Sequence, residues 1–231
     1  MKSAGLANRF PRDSSGSSLL EFTLVFPVVM LVALGTLDVA FMLWDWAQAN
    51  RAAFAGARRA VVLDPVATGV TQLNYTTAGT QLGQPCFNPA TGAANTTSNC
   101  PTVTTVCTPA ATGGSCTNNY TWNETAFTNP NANAPQMEGI FDKMREFFPR
   151  LQRQNVEISY QTTGLGFVGR PDGLPMNVTV SIRCMTHEFY FLGGLMNWAF
   201  AVPAGCPAGT PAGWSIPSFA TTLPSEDMVS G

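Results

Sequence analysis

Residues 16–46 read GSSLLEFTLVFPVVMLVALGTLDVAFMLWDW. From Phe22 to Trp46 the stretch is almost wholly apolar, and FTLVFPVVMLVALGTL occupies 22–37. The hydrocarbon core of a bilayer, about 30 Å thick, takes about 20 helical residues to cross. Leu24 to Leu43 supplies that length, so the segment is expected to span a membrane as a helix. The apolar part of an ordinary secretory signal is only about 7–15 residues long and is closed by a small-x-small cleavage site. This stretch is longer and lacks such a site, so it is expected to be retained.

Three residues inside or beside the run carry a cost. An Asp near the centre of a spanning helix costs about 2.5–3.5 kcal/mol, and less toward the outer interface. Asp38 therefore either pairs with something or reaches the interface. Pro27 removes one helical hydrogen bond and favours a kink. Glu21 opens the run directly after Leu19 and Leu20. A carboxylate in a first turn is stabilised by the helix dipole, but that does not account for the pattern around it.

The rest of the chain contrasts with this segment. Of 231 residues only 11% are charged, against about 25% in ordinary soluble domains, and 45% are hydrophobic. The net charge is −2, and no Lys/Arg run exists that would neutralise a row of phosphates, so a nucleic-acid partner is not expected. Lys2, Arg9 and Arg12 precede the span while Arg51, Arg58 and Arg59 follow it, so the positive-inside rule gives nearly a tie. The cysteines break the tie. Cys86, Cys100, Cys107, Cys116, Cys184 and Cys206 all lie beyond the span. An even number on one side points to disulfides in an oxidising compartment, with the N-terminus inside. Sequence leaves the connectivity open. Pairing of the first four among themselves, and a bridge from Cys184 to Cys206 across an apolar stretch, are the expected arrangements.

The pattern Gly16-Ser17-Ser18-Leu19-Leu20-Glu21-Phe22, followed by an apolar helix, resembles the prepilin-peptidase site of type IV pilins and pseudopilins. Three further pieces stand in register with it. They are Pro27 after Glu21-Phe22, Asp38 after Gly35-Thr36-Leu37, and the Ala-rich segment Gln48 to Arg58 with its Gly56-Ala57-Arg58. Together, over residues 14–62, they resemble the TadE-like family of the tight-adherence, Flp-type pilus system. The resemblance implies cleavage between Gly16 and Ser17, by a prepilin peptidase. It makes Glu21 the fifth residue of the mature chain, one helical turn from the new α-amino group on Ser17. A carboxylate there offsets that charge in its own or a neighbouring subunit, and an unpaired charge in a low-dielectric setting is costly. Glu21, Phe22 and Asp38 are thus the expected assembly contacts. Ser17 and Ser18 replace the usual small apolar residues, and the leader is less basic than is common in the family.

The organisation expected is a leader at 1–16, a transmembrane and extended pilin-like helix at 17–63, a Cys/Asn/Thr-rich low-charge insert at 64–134, and an α+β ectodomain at 135–231. Ala49, Ala52, Ala53, Gly56, Ala57 and Ala60 form a small-residue stripe at helical spacing, suited to close approach of the protein's own ectodomain or of another subunit's helix. Between Asp64 and Glu138 only Glu124 is charged, a composition that reads as loops and mixed coil held by disulfides. Pro135 is expected to open a helix whose apolar face, Met137, Ile140, Phe141, Met144, Phe147, Phe148 and Leu151, packs on a sheet. Alternation at 156–161 and 176–183 gives two strands, paired antiparallel through 164–175. Phe189 to Trp198 is apolar and suits either the membrane surface or the core, and 214–221 suits a final strand. The fold class is α+β: a long N-terminal transmembrane helix followed by a small antiparallel-sheet ectodomain with a disulfide-rich insert.

No catalytic constellation accompanies this. The single histidine, His187, precedes Glu188 with no Ser, Cys or Asp neighbour in sequence that would suggest a triad. No HExxH, P-loop or Rossmann pattern occurs, so neither an enzyme, a metal site nor a cofactor is expected. The resemblance implies a minor pilin-like subunit at the bacterial inner membrane, single-pass, its C-terminal domain periplasmic and possible in a surface pilus. Its partners would be the prepilin peptidase, other pilin-like subunits, the inner-membrane assembly platform and the lipid bilayer. An uncleaved signal-anchored envelope protein with a binding ectodomain is the alternative, and an anchored hydrolase the third reading.

Overall fold

One helix, α1, runs from Ser14 to Ala60, 47 residues with Pro27 inside it. At 1.5 Å per residue it is about 70 Å long, more than twice a bilayer core. The computed structural model describes residues 14–73, 81–87, 90–91, 100, 102–129, 138–170, 173–193, 204–206, 210 and 213–225. Arg58 and Arg59 stand in the last turn of α1, where cations complement the carbonyl end of the dipole. Pro65 disfavours helical backbone at the residue before it, which accounts for the stop.

The two halves of α1 differ. Leu19, Leu20, Phe22, Leu24 and the apolar residues up to Val32 are exposed on every face. In the outer half Ala49, Ala52, Ala53, Ala57 and Ala60 are wholly buried. That stripe meets the protein's own domain: a methyl group added at Gly56 would lie 2.6 Å from Cγ and Sδ of Met144 and 3.4 Å from Val180.

The partner of that stripe is a five-stranded antiparallel sheet and a short helix. The strands are β2 (Thr104–Pro109), β3 (Gly114–Cys116), β5 (Val156–Thr162), β6 (Met176–Ile182) and β9 (Phe219–Ser225), in the order β3-β2-β5-β6-β9. Two small ribbons flank it: β1 (Ala67–Thr68) pairs with β4 (Thr121–Trp122), and β7 (Thr186–His187) with β8 (Trp214–Ser215). Helix α1 lies against β6, β9 and α3 (Ile140–Phe147). A one-turn helix, α2 (Glu124–Phe127), sits beside α3 and is capped by the Asn123 side chain, which accepts from the Ala126 N–H.

Alternation sets the register of the central hairpin. Val156, Ile158, Tyr160 and Thr162 are buried on β5, and Met176, Val178, Val180 and Ile182 on β6, with Ile158 opposite Val180. Side chains of period two lock such a pairing, because a one-residue slip would turn the whole apolar set to solvent. Sheet direction follows from the same register. The Ile182–Phe219 end lies by Trp46, whose ring is 5.8 Å from that of Phe219, and the Met176–Ser225 end lies by Val61, whose carbonyl accepts from Ser225. The strands therefore run alongside the outer half of α1, with the 164–175 connection at the end away from the apolar half.

Three disulfides hold the domain: Cys86–Cys100, Cys107–Cys116 and Cys184–Cys206. The second joins β2 to β3 at directly opposed positions. The third encloses the loop that returns to α1.

Several expectations change. The low-charge insert is more ordered than loops and mixed coil, since Thr104–Pro109 and Gly114–Cys116 supply two of the five strands and β2 pairs with β5. Alternation of Thr105, Cys107 and Pro109 inward makes a half-buried strand out of a segment with few large apolar residues. Helix α3 begins at Ile140, with Gly139 as its cap; residues 130–137, including Pro135 and Met137, lie outside the described residues. Its apolar face is core, packed beside α1 in one cluster with Ile158, Tyr160 and Val180 of the sheet. Phe147 is exposed. The final strand runs from Phe219 to Ser225, separated from β8 by Pro217. Among the described residues strand β9 pairs only with β6, and so accepts Pro224 as an edge strand can. Of the apolar stretch 189–198, residues 194–198 lie outside the described residues.

Candidate functional site

The residues singled out by sequence fall at three levels of α1. Gly16 and Ser17 lie in its first turn. Glu21 and Phe22 follow on the bare half, both exposed, with the Phe22 ring 5.4 Å from that of Phe26. Asp38 stands where the loop at 190–192 meets the helix, well beyond Glu21 along α1.

Asp38 is fully buried. Its carboxylate accepts from three successive backbone amides of a loop about 150 residues downstream. Tyr190 N–H donates to Oδ1 at 3.0 Å, Leu192 N–H donates to Oδ2 at 2.9 Å, and Phe191 N–H lies 3.3 and 3.1 Å from the two oxygens. Amide donors aimed at one carboxylate stabilise its charge and are themselves satisfied. The loop is pressed onto the helix on either side of that clamp. The Phe41 and Tyr190 rings meet edge-on at 5.9 Å, and a methyl group at Gly35 would stand 3.3 Å from Leu192 Cδ1.

Two turns further out, Asp45 makes a second junction. Its Oδ2 is 3.1 Å from Nδ1 of His187 on β7 and 3.0 Å from a guanidinium nitrogen of Arg150. His187 is buried, flanked by the rings of Phe189 and Tyr190, and its Nε2 has no hydrogen-bond partner among the described residues. A cavity of about 230 Å³ beside this junction is lined by Asp45, Arg150, Asn155, Glu188 and Thr210 among others. A His–Asp pair becomes catalytic when the other ring nitrogen faces a nucleophile, and no Ser, Cys or Thr hydrogen-bonds to Nε2 among the described residues. Nor do the described residues include a group of three or more His, Cys, Asp or Glu able to hold a metal ion.

Other polar contacts secure the domain. Arg153 forms a two-pronged pair with Glu124, at 2.6 and 2.9 Å, and lies over the Phe127 ring at 5.0 Å. The hydrogen bond from Arg153 holds the Glu124 carboxyl below the ordinary range, with burial opposing it and Trp122 Nε1–H adding to it. Tyr160 is wholly buried and its hydroxyl is pushed well above the usual value by burial, while its oxygen accepts from the Val66 N–H. Asp142 accepts from the Gly139 and Asn129 amides at the start of α3.

The sequence reading passed over Asp45, Arg150 and the amides of 190–192, and took His187 as a histidine without a catalytic neighbour, without the Asp45 partner that the fold gives it. Asp45 carried a signal, a second acid at the end of the apolar stretch between Trp44 and Trp46. The amides carried none, because a backbone donor has no residue type.

A long N-terminal helix, bare and apolar over its first half and built into a disulfide-linked α+β domain over its second, fits a single-pass membrane protein by its length and composition. The family match agrees: residues 16–58 match the family model described as TadE-like protein. The matched segment lies within α1 alone, so the similarity to TadE-like proteins is that of the helix. No curated protein and no solved structure matches the chain.

Proposed function

We propose that this chain is a minor pilin-like subunit of TadE type. It is matured by prepilin peptidase between Gly16 and Ser17 and acts in assembly, initiation or anchoring of a tight-adherence Flp-type pilus. One observation carries the reading: the TadE-like match coincides with a helix whose first half, Leu19 to Val32, has no partner within the described chain. Residues 19–37 span about 28 Å at 1.5 Å per residue, close to one bilayer core. Such a face suits lipid and lateral docking on other pilin-like helices in the inner membrane, with the domain on the periplasmic side.

Glu21 and Phe22 are the assembly contacts in this reading. Asp38 and the Ala/Gly stripe already have intramolecular partners, so they act in assembly only by setting how the domain sits on the helix. Glu21 then pairs with the α-amino group of Ser17 freed by cleavage, in the same or an adjacent subunit. The N-terminal residue of the protein from membranes, with and without the prepilin peptidase, tests this. A start at Ser17 that requires the peptidase supports the reading. An intact Met1 overturns it and leaves an uncleaved signal-anchored envelope protein.

A further inference from the structure

A carboxylate in an apolar helix and three backbone amides in an apolar loop are each costly in lipid. Unsatisfied amides in hydrocarbon cost several kcal/mol each, and irregular backbone is tolerated at membrane depth only where its polar groups are satisfied by protein. In this chain the two costs offset one another, since Asp38 takes the N–H groups of Tyr190, Phe191 and Leu192. The contacts of the loop span Gly35 to Phe41 of α1.

That level lies at the membrane whichever way the span is drawn. With the hydrocarbon core over Leu24–Leu43, residues 35–41 lie about 3–12 Å inside its outer boundary. With the core over residues 19–38, they straddle that boundary. The side chains fit the position. Tyr190 is 64% exposed and Phe191 49%, and beside them on α1 Phe41 is 48% and Trp44 63% exposed. The polar end of the loop points the other way, with Glu188 lining the cavity next to Asp45 and Arg150. Aromatic residues with apolar bodies favour the membrane–water interface.

We propose that the loop Phe189–Leu192 is a second membrane contact, with Tyr190 and Phe191 seated in the outer leaflet of the bilayer beside α1 and Asp38 acting as the clamp that holds them there. The occupant is lipid, because the exposed aromatic surface is continuous with the apolar helix that crosses the membrane. The ectodomain is thereby fixed in tilt against the bilayer. This rests on α1 crossing the membrane.

The test uses the full chain in lipid vesicles. All six cysteines are in bridges, so Phe191→Cys introduces one thiol for a nitroxide label, and Leu165→Cys, exposed on the 164–175 connection, serves as the distal control. Accessibility to dissolved oxygen and to a water-soluble nickel chelate is read by electron paramagnetic resonance. The expected result is a severalfold higher oxygen-to-chelate ratio at position 191 than at 165, lost when Asp38→Ala is added while the disulfides and the sheet signal persist. Chelate access at 191 equal to that at 165 overturns the proposal. So does shielding that grows with the protein-to-lipid ratio and brings spin–spin broadening, which means a second copy covers the loop. Depth that survives Asp38→Ala removes the clamp. Alkaline extraction of the same vesicles reads the underlying premise separately: release of the chain means α1 is not a span, and the proposal falls with that premise.

Discussion

Asp45 and His187 are 142 residues apart in sequence, and Oδ2 of the first lies 3.1 Å from Nδ1 of the second. The pair ties the outer end of the apolar helix to a two-stranded ribbon of the domain, with Arg150 completing the junction at 3.0 Å. Asp45→Ala leaves a buried imidazole with neither nitrogen partnered by a described residue. Leaving such a group unsatisfied costs about 1–3 kcal/mol, which for a domain of this size lowers Tm by roughly 2–4 °C per kcal/mol. Thermal unfolding in detergent, followed by near-UV circular dichroism, is expected to register that loss, with Asp45→Asn intermediate because it keeps one acceptor. An unchanged Tm in Asp45→Ala would mean the junction contributes nothing.

Gly56 of α1 sits directly against Met144 of α3. Replacing a helical glycine by alanine ordinarily gains about 1 kcal/mol. Here the new methyl would meet Met144 at 2.6 Å, so Gly56→Ala is expected to give no gain, and Gly56→Leu a loss of about 1–3 kcal/mol from overpacking. Denaturant midpoints of the two variants check the order; a stabilised Gly56→Ala would show that Met144 moves away freely.

The Glu124–Arg153 pair makes the domain acid-sensitive in a definite direction. The carboxyl of Glu124 is held below its ordinary value of 4.5, chiefly by Arg153. A group depressed in the folded state contributes stability above its unfolded value and loses it as pH falls through the folded one. Glu124→Gln is therefore expected to be less stable than the parent at neutral pH, with the difference shrinking below about pH 4.5. The side chain is 42% exposed, so solvent screening keeps the effect small and salt-dependent. A difference constant from neutral pH to pH 3 in Tm measurements would refute the assignment.

The Cys184–Cys206 bridge closes a segment of 22 residues that contains the loop held by Asp38. Removing a bridge of that size costs about 2–4 kcal/mol. The double variant Cys184→Ala/Cys206→Ala is expected to lower Tm accordingly and to speed proteolysis at 188–193 more than at the β5–β6 hairpin, read by mass spectrometry of the fragments. Uniform acceleration across the domain would show that the bridge supports the whole fold and not this loop.

Glu21→Ala addresses the bare half of α1. Because Glu21 is exposed and has no contact with the domain among the described residues, the variant is expected to insert and fold normally while failing to assemble. Membrane fractionation and pilus counts by electron microscopy measure the two outcomes, and normal pili would end the charge-pairing account.

Sequence by itself determined the elements whose signal is local. Helix α1 declared itself through a long apolar run, β5 and β6 through strict alternation, and the TadE-like character through four short patterns in register. The Ala/Gly stripe was equally visible, but periodicity names a face and not its partner; only the fold put Met144 and Val180 against Gly56 and so turned a surface open to a neighbouring subunit into the protein's own core. The strands at 104–109 and 114–116 were hidden because the first is held by pairing with β5 and the second by pairing with the first and by the Cys107–Cys116 bridge, not by apolar content. Asp38 was legible as an anomaly, an acid in a helix that should have none. What answers it is backbone N–H, which every residue but proline carries, and the tertiary structure alone selects which three of those donors arrive.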